Sequence, residues 1–309
     1  MELRQLGKTD IMVPNYSIGT SPFGNMYGET NLEELRNIIV KAIDNGINYF
    51  DTSPYYGLKR SEINLGKCLK GLSRDSYYIS TKVGRYGDDL FDFSEPTIVQ
   101  SLDDSLVRLG VDYVDILLAH DVEFGDIDQI INETLPAMQK LKDSGKVRYI
   151  GFSCYPIKLI REIIERSTVP IDVVLSYGHG CLINNTINTI TPYLKLNGIG
   201  IINASPLCMG LISTNPPPAW HPAPYKMIDD IREVGSHFNA EFDYKIESFA
   251  IASVPEMYPD IETTLIGIKN MDELDSLIGI CTDKTPLPDE YYDYVSCRFE
   301  HLFNHPLHS

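Results

Sequence analysis

The sequence predicts a single parallel (β/α)8 (TIM) barrel, because eight strand-like apolar runs alternate with stretches of helical spacing along its 309 residues. No break in composition divides the chain, so we expect one domain over residues 1–309. The competing architecture, a doubly wound sheet, needs a Gly-x-Gly-x-x-Gly turn after a strand. The nearest match, Gly198-Ile-Gly200, precedes a strand instead, and this favours the barrel.

The predicted barrel strands are short runs rich in β-branched and aromatic residues, each followed by turn residues. An N-terminal hairpin, turning at Gly7-Lys8 within residues 3–13, comes before them. The eight predicted strands are residues 15–19, 47–51, 77–82, 113–120, 147–153, 172–177, 199–204 and 263–267.

Between these runs, apolar residues recur every three or four positions, as on one face of a helix. The stretch 211–259 exceeds an ordinary connection and predicts a long loop over one end of the barrel, after the seventh strand. The predicted helical faces are Leu32, Leu35, Ile38, Ile39 and Ala42; Leu102, Leu106 and Leu109; Ile130, Leu135, Met138 and Leu141; and Ile157, Ile160, Ile163 and Ile164.

The net charge of −17 argues against nucleic acid and anionic membranes as partners. The N-terminus lacks the apolar core of a signal peptide, and no run approaches 18 apolar residues. Six cysteines without a Cys-x-x-Cys pair indicate reduced thiols, and His301, His305 and His308 have no Cys or carboxylate cluster beside them, so we expect no metal. Together these features predict a cytoplasmic enzyme or binding protein.

Four chemically active residues fall at the carboxyl ends of three consecutive predicted strands, where barrels gather their functional side chains. Asp51 ends the second strand, in the stretch Phe-Asp-Thr-Ser-Pro-Tyr-Tyr-Gly, and Tyr56 lies in the loop that follows. Lys82 ends the third strand and His120 the fourth. Each has an ordinary alternative, such as a packed tyrosine, a rim salt bridge or a core histidine. Their occurrence together predicts an active site.

The chemistry of the four residues suits proton transfer. A free tyrosine has a pKa near 10, and a neighbouring ammonium lowers that value by stabilising the phenolate. We therefore expect Lys82 to lower the pKa of Tyr56, Asp51 to anchor Lys82, and His120 to orient a substrate oxygen. With a hydride carrier beside it, such a site interconverts a carbonyl and an alcohol.

At these residues the sequence resembles the aldo-keto reductase family, a family of (β/α)8 barrels whose tetrad of Asp, Tyr, Lys and His matches Asp51, Tyr56, Lys82 and His120. Longer strings resemble its L-galactose dehydrogenase and aldose 1-dehydrogenase branch. These strings are Asp51-Thr-Ser-Pro-Tyr-Tyr-Gly57, Lys82-Val-Gly-Arg-Tyr86, Phe91-Asp-Phe-Ser94, His120-Asp-Val-Glu-Phe-Gly125, Ala204-Ser-Pro-Leu207 and Pro217-Pro-Ala-Trp-His-Pro222.

The resemblance implies a nicotinamide dinucleotide across the rim of the barrel, on backbone amides and a helix start rather than on basic side chains. The residues it implies for the cofactor, beside Asp51, are Gly19, Thr20 and Ser21 at the nicotinamide, Ser153 at its carboxamide, Ser205, Leu207 and Gly210 at the diphosphate, and Gly267, Lys269 and Glu273 at the adenosine. The ordinary alternative for these positions is plain loop and core.

The sequence departs from the family pattern at Cys154, where many relatives carry Asn, at Ala204, where many carry an aromatic ring, and at Ser276-Leu277, which replaces a Glu-Asn pair. Glu273 stands where NADP-dependent relatives usually carry an arginine. A carboxylate there repels a 2′-phosphate, although Lys269 works in the opposite direction. We therefore expect NAD rather than NADP.

Aromatic faces with polar tips suit a sugar ring, and the rim residues expected to contact the substrate are Tyr55, Tyr56, Tyr86, His120, Trp220 and His221. For Trp220 and His221 the alternative is a proline-rich loop that packs on itself. The predicted reaction is oxidation of an L-galactose-like aldose at C1 to its lactone. An NADPH-dependent reductase of ketones or aldehydes and a slow-turnover cofactor-sensing subunit stay open as alternatives.

Overall fold

The structure, a computed structural model, describes residues 2–305 and contains a closed barrel of eight parallel strands. The strands lie in chain order around the barrel, and the last of them, β10, pairs with both β9 and β3. A separate antiparallel hairpin, β1–β2, precedes it. The strands are β1 Leu3–Gln5, β2 Met12–Pro14, β3 Tyr16–Gly19, β4 Tyr49–Asp51, β5 Tyr78–Val83, β6 Val114–Ala119, β7 Val147–Ser153, β8 Val173–Tyr177, β9 Gly200–Ala204 and β10 Thr263–Gly267.

The helices lie outside the barrel, where most pack their apolar faces against the sheet, whereas residues 225–242, 246–252 and 289–299 pack in a separate apolar cluster with the loops after β8 and β9. They are α1 Leu32–Asp44, α2 Arg60–Leu69, α3 Glu95–Leu109, α4 Ile127–Gln129, α5 Leu135–Asp143, α6 Ile157–Arg166, α7 Thr191–Asn197, α8 Tyr225–Phe242, α9 Ile246–Ala252, α10 Val254–Met257, α11 Met271–Thr282 and α12 Asp289–Phe299.

The predicted barrel, its eight strands and the N-terminal hairpin are confirmed. The prediction for 211–259 needs a correction, because α8, α9 and α10 occupy most of that stretch and the long loop spans residues 205–224. The third predicted helical face is divided between a π-helical turn at Ile130–Thr134, which contains Ile130, and α5, which contains Leu135, Met138 and Leu141.

The N-terminal hairpin closes the end of the barrel at which the strands begin. Leu6, Ile11 and Val13 are fully buried in the cluster of side chains that fills the barrel interior. The turn of the hairpin sits on the start of β9, where Lys8 N–H donates to the Gly198 carbonyl at 2.9 Å. The opposite end, where the strands finish, is therefore the one available for a site.

Within residues 2–305, no helix combines the length and apolar character needed to cross a membrane. In the same part of the chain, no three His, Cys, Asp or Glu side chains are grouped so as to hold a metal ion. His301 lies 3.5 Å from Asp230, whereas His308 lies outside the described residues.

Candidate active site

The loop after β4 is held in place by a backbone contact that requires glycine. Gly57 has φ +60, and a Cβ atom there would lie 2.1 Å from the Gly24 carbonyl oxygen. A side chain at Gly24 would meet the backbone of Tyr56 at 2.7 Å. This close approach of two backbone segments, at Gly24 and Gly57, fixes the position of Tyr56 at the rim.

Asp51 and Lys82 form a buried ion pair at the ends of β4 and β5, with side chains 2% and 1% exposed. The Asp51 carboxylate also accepts a hydrogen bond from Ser80 Oγ at 2.6 Å. Lys82 Nζ donates to the Thr52 carbonyl at 2.9 Å as well as to Asp51. The lysine is therefore aimed by two acceptors on the neighbouring strand and its loop.

The third donor of Lys82 Nζ goes to the Tyr56 hydroxyl oxygen at 3.1 Å. An ammonium has three donors and no acceptor, so the phenol oxygen must accept this hydrogen bond. The phenolic proton of Tyr56 is consequently left to donate to another oxygen. This geometry is what the sequence predicts for a proton donor at the rim.

The pKa of Tyr56 is raised well above its usual value of 10, and the expected lowering by Lys82 is wrong as a net effect in this structure. Burial is the largest cause, and the negative charges of Asp51 and Asp121 add to it, whereas Arg85 works in the opposite direction. The expectation counted the ammonium and omitted desolvation of the phenolate. Tyr56 is therefore a protonated phenol at neutral pH.

His120, immediately after β6, is only 3% exposed, and its ring lies 5.7 Å from that of Tyr56. Burial lowers its pKa to about 3, although the charge of Asp121 acts the other way. The imidazole is thus neutral at neutral pH. Ser53 Oγ lies 3.0 Å from Nδ1, and Asp121 Oδ2 lies 3.5 Å from Nε2. The carboxylate favours the proton on Nε2, so that the Ser53 hydroxyl donates to Nδ1.

Arg85 and Asp121 form an ion pair beside His120 that the sequence analysis missed. Arg85 Nη1 donates to Asp121 Oδ2 at 2.6 Å, and its guanidinium lies 4.0 Å from the centre of the Tyr55 ring. Asp121 has φ 50, an unusual conformation for a residue other than glycine. A signal was available, since Asp121 directly follows His120 and Arg85 comes three residues after Lys82.

Glu123 is a second carboxyl group near this pair, also missed. One of its oxygens accepts from Tyr155 N–H at 3.0 Å and from the Tyr177 hydroxyl at 2.9 Å. Burial, followed by the charge of Asp121, raises its pKa to about 7. A carboxyl that titrates near neutrality beside Asp121 gives this side of the rim a pH-dependent charge.

The predicted substrate residues are placed differently from one another. The Tyr55 ring lies 5.9 Å from that of His120, and its hydroxyl donates to Asp88 at 2.9 Å. The Tyr86 hydroxyl accepts from Gly84 N–H at 3.1 Å, within its own loop, and a substrate contact for Tyr86 stays a prediction. In that loop it is Arg85 that contacts Tyr55.

Trp220 and His221 lie in the long loop after β9, and the alternative to a substrate role for them is a loop that packs on itself. His221 is 8% exposed, with Nε2–H donating to the Cys208 carbonyl at 2.8 Å and Nδ1 accepting from Ala223 N–H. Both ring nitrogens are thus engaged by the loop's own backbone, and a substrate contact for His221 stays a prediction. Trp220 is 47% exposed, and its ring lies 5.6 Å from that of Tyr27.

The residues expected at the nicotinamide lie at the ends of β3 and β7. Gly19 ends β3, Ser21 begins the next turn, and Thr20 donates both its N–H and its hydroxyl to the Asp51 carbonyl. Ser153 Oγ accepts from Asp121 N–H at 2.7 Å and donates to Asp121 Oδ1 at 2.9 Å. The cofactor roles of these residues stay predictions.

The loop after β9 has a backbone suited to an anion. Ser205, Cys208, Met209 and Gly210 all have positive φ, between 48 and 91. Left-handed residues turn backbone N–H groups toward one concave side, and such concavities bind phosphates without basic side chains. Leu207 lies within this run. Cys208 N–H and Gly210 N–H already donate to the Ser205 and Leu207 carbonyls, at 2.8 and 3.1 Å, and the diphosphate role of this loop stays a prediction.

Two carboxylates lie at the start of α11, the helix that follows β10, whose last residue is Gly267. Glu273 Oε2 accepts from Lys269 N–H at 2.9 Å, and its Oε1 lies 3.7 Å from Lys269 Nζ. Glu34 of α1, which the sequence analysis missed, accepts from Met271 N–H at 3.0 Å. An N–H group that would otherwise attract an anion is therefore already bound to a carboxylate.

Comparison with known proteins agrees with this geometry. Residues 16–296 match the aldo/keto reductase family. The chain is 40% identical over 288 residues to L-galactose dehydrogenase from Arabidopsis thaliana, covering 92% of this chain and 89% of the relative. It is 31% identical over 252 residues to D-arabinose 1-dehydrogenase from Saccharomyces cerevisiae, covering 78% and 74%.

Among solved structures, an aldo-keto reductase from Bacillus halodurans in its holo form superimposes with a TM-score of 0.77 at 26% identity, covering 96% of each chain. The family match spans nine-tenths of the chain, including the barrel and all four rim residues. This chain therefore belongs to the aldo/keto reductase family and is an NAD(P)-dependent oxidoreductase.

Proposed function

We propose that this protein oxidises an aldose at C1 to its lactone with NAD, and that Tyr56 is the acid/base. The observation that carries the proposal is the hydrogen bond from Lys82 Nζ to the Tyr56 oxygen at 3.1 Å, which leaves the phenolic proton for a substrate oxygen. The relatives named as L-galactose dehydrogenase and D-arabinose 1-dehydrogenase support an aldose as substrate. An L-galactose-like sugar is the first candidate.

In the oxidative direction Tyr56 accepts the proton of the C1 hydroxyl, while Nε2–H of neutral His120 donates to the same oxygen and orients it. The oxidised nicotinamide, when bound, supplies the hydride acceptor. Tyr56 must first be deprotonated, and the positive groups facing it are Lys82 and Arg85. Because burial raises the pKa of Tyr56, we expect the oxidation rate to increase with pH into the alkaline range.

The raised pKa of Tyr56 also favours a second candidate, an NADPH-dependent reductase of ketones or aldehydes, since a protonated phenol is ready to donate. The two candidates differ in cofactor and in pH dependence. Initial rates with L-galactose, L-fucose and D-arabinose, each with NAD and with NADP, are to be compared with NADPH-dependent reduction of simple aldehydes. Faster reduction than oxidation across pH 6 to 10 would favour the reductase.

The Tyr56→Phe variant tests the role of the phenol. Hydride transfer should fall at least ~100-fold, the usual contribution of a general acid or base, while dinucleotide affinity measured by calorimetry stays nearly unchanged. Tyr113→Phe is the matched control, because Tyr113 stacks on Arg74 near the start of β6, at the other end of the barrel. Residual activity above about a tenth of wild type in Tyr56→Phe would exclude Tyr56 as the acid/base.

The preference for NAD rests on Glu273 and Glu34 at the start of α11, where a 2′-phosphate would meet two carboxylates. Calorimetry with NAD and NADP should give the lower Kd for NAD. Replacing both glutamates with glutamine should narrow the ratio of the two Kd values, whereas Glu33→Gln, at the neighbouring exposed position of α1, should leave it unchanged. Equal Kd values in the wild type would contradict the preference.

A further inference from the structure

Cys181 and Cys208 lie on adjacent loops, after β8 and after β9, with their sulfur atoms 3.2 Å apart. Both side chains are buried, at 1% and 0% exposure, and both are free thiols. A disulfide requires a sulfur separation of about 2.05 Å, so the two sulfur atoms must approach each other by roughly 1 Å to form one. The two residues are thus nearly in bonding position in the reduced protein.

The two thiols also differ in pKa, and this difference assigns them different roles in an oxidation reaction. The hydrogen bond from the Cys208 thiol lowers the pKa of Cys181 below its usual value, although burial opposes this, and the same contact raises the pKa of Cys208. The thiolate is the reactive form of cysteine. Cys181 is therefore the sulfur that ionises first, and Cys208 is the partner that resolves its oxidised form.

We propose that Cys181 and Cys208 are an oxidative modification site that closes reversibly into an intramolecular disulfide. With a peroxide as oxidant, the Cys181 thiolate attacks one peroxide oxygen, the O–O bond breaks, and a sulfenic acid and hydroxide form; the hydroxide takes up the proton that the Cys181 thiol released and becomes water. Cys208 sulfur then attacks the sulfenic sulfur, and a second water leaves. In total two thiols and one hydrogen peroxide give one disulfide and two waters, and a dithiol reductant reverses the reaction.

The bond would join two loops that other elements already hold. The Tyr258 hydroxyl donates to the Cys181 carbonyl at 2.7 Å, and His221 Nε2–H donates to the Cys208 carbonyl at 2.8 Å. Cys208 and Met209 have φ 48 and 58, so this loop is already in an unusual conformation. Drawing Cys208 toward Cys181 displaces the loop 205–210. This consequence rests on the proposed function with NAD and on the prediction that Ser205, Leu207 and Gly210 hold the cofactor diphosphate; closure then weakens dinucleotide binding.

The experiment uses the full chain carrying Cys297→Ser, which removes the exposed thiol that would cross-link separate molecules. After exposure to hydrogen peroxide, remaining thiols are alkylated in denaturant, and the intact mass and the peptides are measured. We expect two fewer alkylated cysteines, a mass loss of about 2 Da before alkylation, and a linked pair of peptides containing Cys181 and Cys208. Dithiothreitol should restore the starting mass.

Cys181→Ser and Cys208→Ser should each lose the linked peptides, whereas Cys68→Ser, also buried, should keep them. The peptide map identifies the bonded pair without these variants, so it decides the question even if one of them fails to fold. Full alkylation of all thiols after peroxide, or a disulfide between other cysteines, would overturn the proposal.

Calorimetry with NAD on the reduced and the oxidised protein measures the consequence for binding. We expect a several-fold higher Kd for NAD in the oxidised protein. An equal or lower Kd would contradict the inference that the disulfide displaces the loop 205–210. The mass result does not depend on any activity. NAD binding by the reduced protein is measured independently of the disulfide. If no disulfide forms but the reduced protein binds NAD tightly, only the inference about the two cysteines fails. If the disulfide forms but the reduced protein does not bind NAD, the proposed function fails.

Discussion

The buried pair of Asp51 and Lys82 allows stability and catalysis to be separated in one double-mutant cycle. In Lys82→Met the ammonium is lost, and the 2%-exposed Asp51 carboxylate keeps the Ser80 hydroxyl as a hydrogen-bond donor. An uncompensated buried charge costs about 3–5 kcal/mol of unfolding free energy. Asp51→Asn leaves the Lys82 ammonium with the Thr52 carbonyl and the Tyr56 oxygen, and a loss of similar size is expected.

The double variant Asp51→Asn/Lys82→Met contains neither charge. Replacing a buried ion pair by neutral groups of similar volume is often close to neutral for stability, so the double variant should be more stable than either single variant. Hydride transfer should nevertheless be lost in all variants that lack Lys82, because no ammonium faces Tyr56. Equilibrium unfolding in urea, followed by Trp220 fluorescence, gives the three free energies, and cofactor absorbance gives the rates.

The size of the coupling decides whether the reasoning holds. With the figures above, the double variant should recover several kcal/mol relative to the sum of the single changes. Simple additivity, with the double variant losing as much as both singles together, would show that the pair is not desolvated and would refute this account of the site.

Three further predictions concern pH and the rim backbone. The pKa of Glu123 is raised from 4.5 to about 7, so the folded state binds the proton of Glu123 more tightly than the unfolded state, and the free energy of unfolding should fall as pH rises from about 4.5 to 7. Urea unfolding of Glu123→Gln across this range should show a flatter pH dependence than the wild type. An identical slope in both proteins would exclude Glu123 as the source of the pH dependence. The pKa of His120 is lowered to about 3, so the imidazole stays neutral in the folded state, and the contribution of His120 to stability should be lost as pH falls from about 6.5 toward 3. The nitrogen chemical shifts of the His120 ring should show no protonation between pH 8 and 5. A titration midpoint near 6.5 would contradict the desolvation of this ring. Gly57→Ala should lose activity and more than about 1–3 kcal/mol of stability, because the new Cβ meets the Gly24 carbonyl and φ is positive. Gly71→Ala, with positive φ but open space around the Cβ, is the control in thermal unfolding. Equal losses of stability in the two variants would show that the clash at Gly57 relaxes.

The barrel and the tetrad were predictable because their signals are local. Apolar runs alternating with helical spacing predict eight strands, and the carboxyl ends of parallel strands meet at one rim. Asp51, Lys82 and His120 each end or follow a predicted strand, so their proximity followed from the fold alone. The 3.1 Å contact between Lys82 and Tyr56 agrees with that argument.

The orientation of loop side chains was not predictable in the same way. In the loop after β5 the sequence drew attention to Tyr86, whereas Arg85 makes the contact with Asp121. In the long loop after β9, both ring nitrogens of His221 form hydrogen bonds with the backbone of its own loop. Loop residues have no periodic pattern, so their direction depends on partners that are distant in the chain.

Sequence alone therefore determined the architecture of this protein and the identity of its four rim residues, because periodicity and strand order are properties of neighbouring residues. Tertiary structure decided the protonation of the site. Desolvation and the charges of Asp51 and Asp121 raise the pKa of Tyr56 against the lowering expected from Lys82. It also decided which thiols meet, since Cys181 and Cys208 are separated by a whole strand and helix and become neighbours only when β8 and β9 pair. Burial and distance between remote residues depend on the whole fold, and no local pattern encodes them.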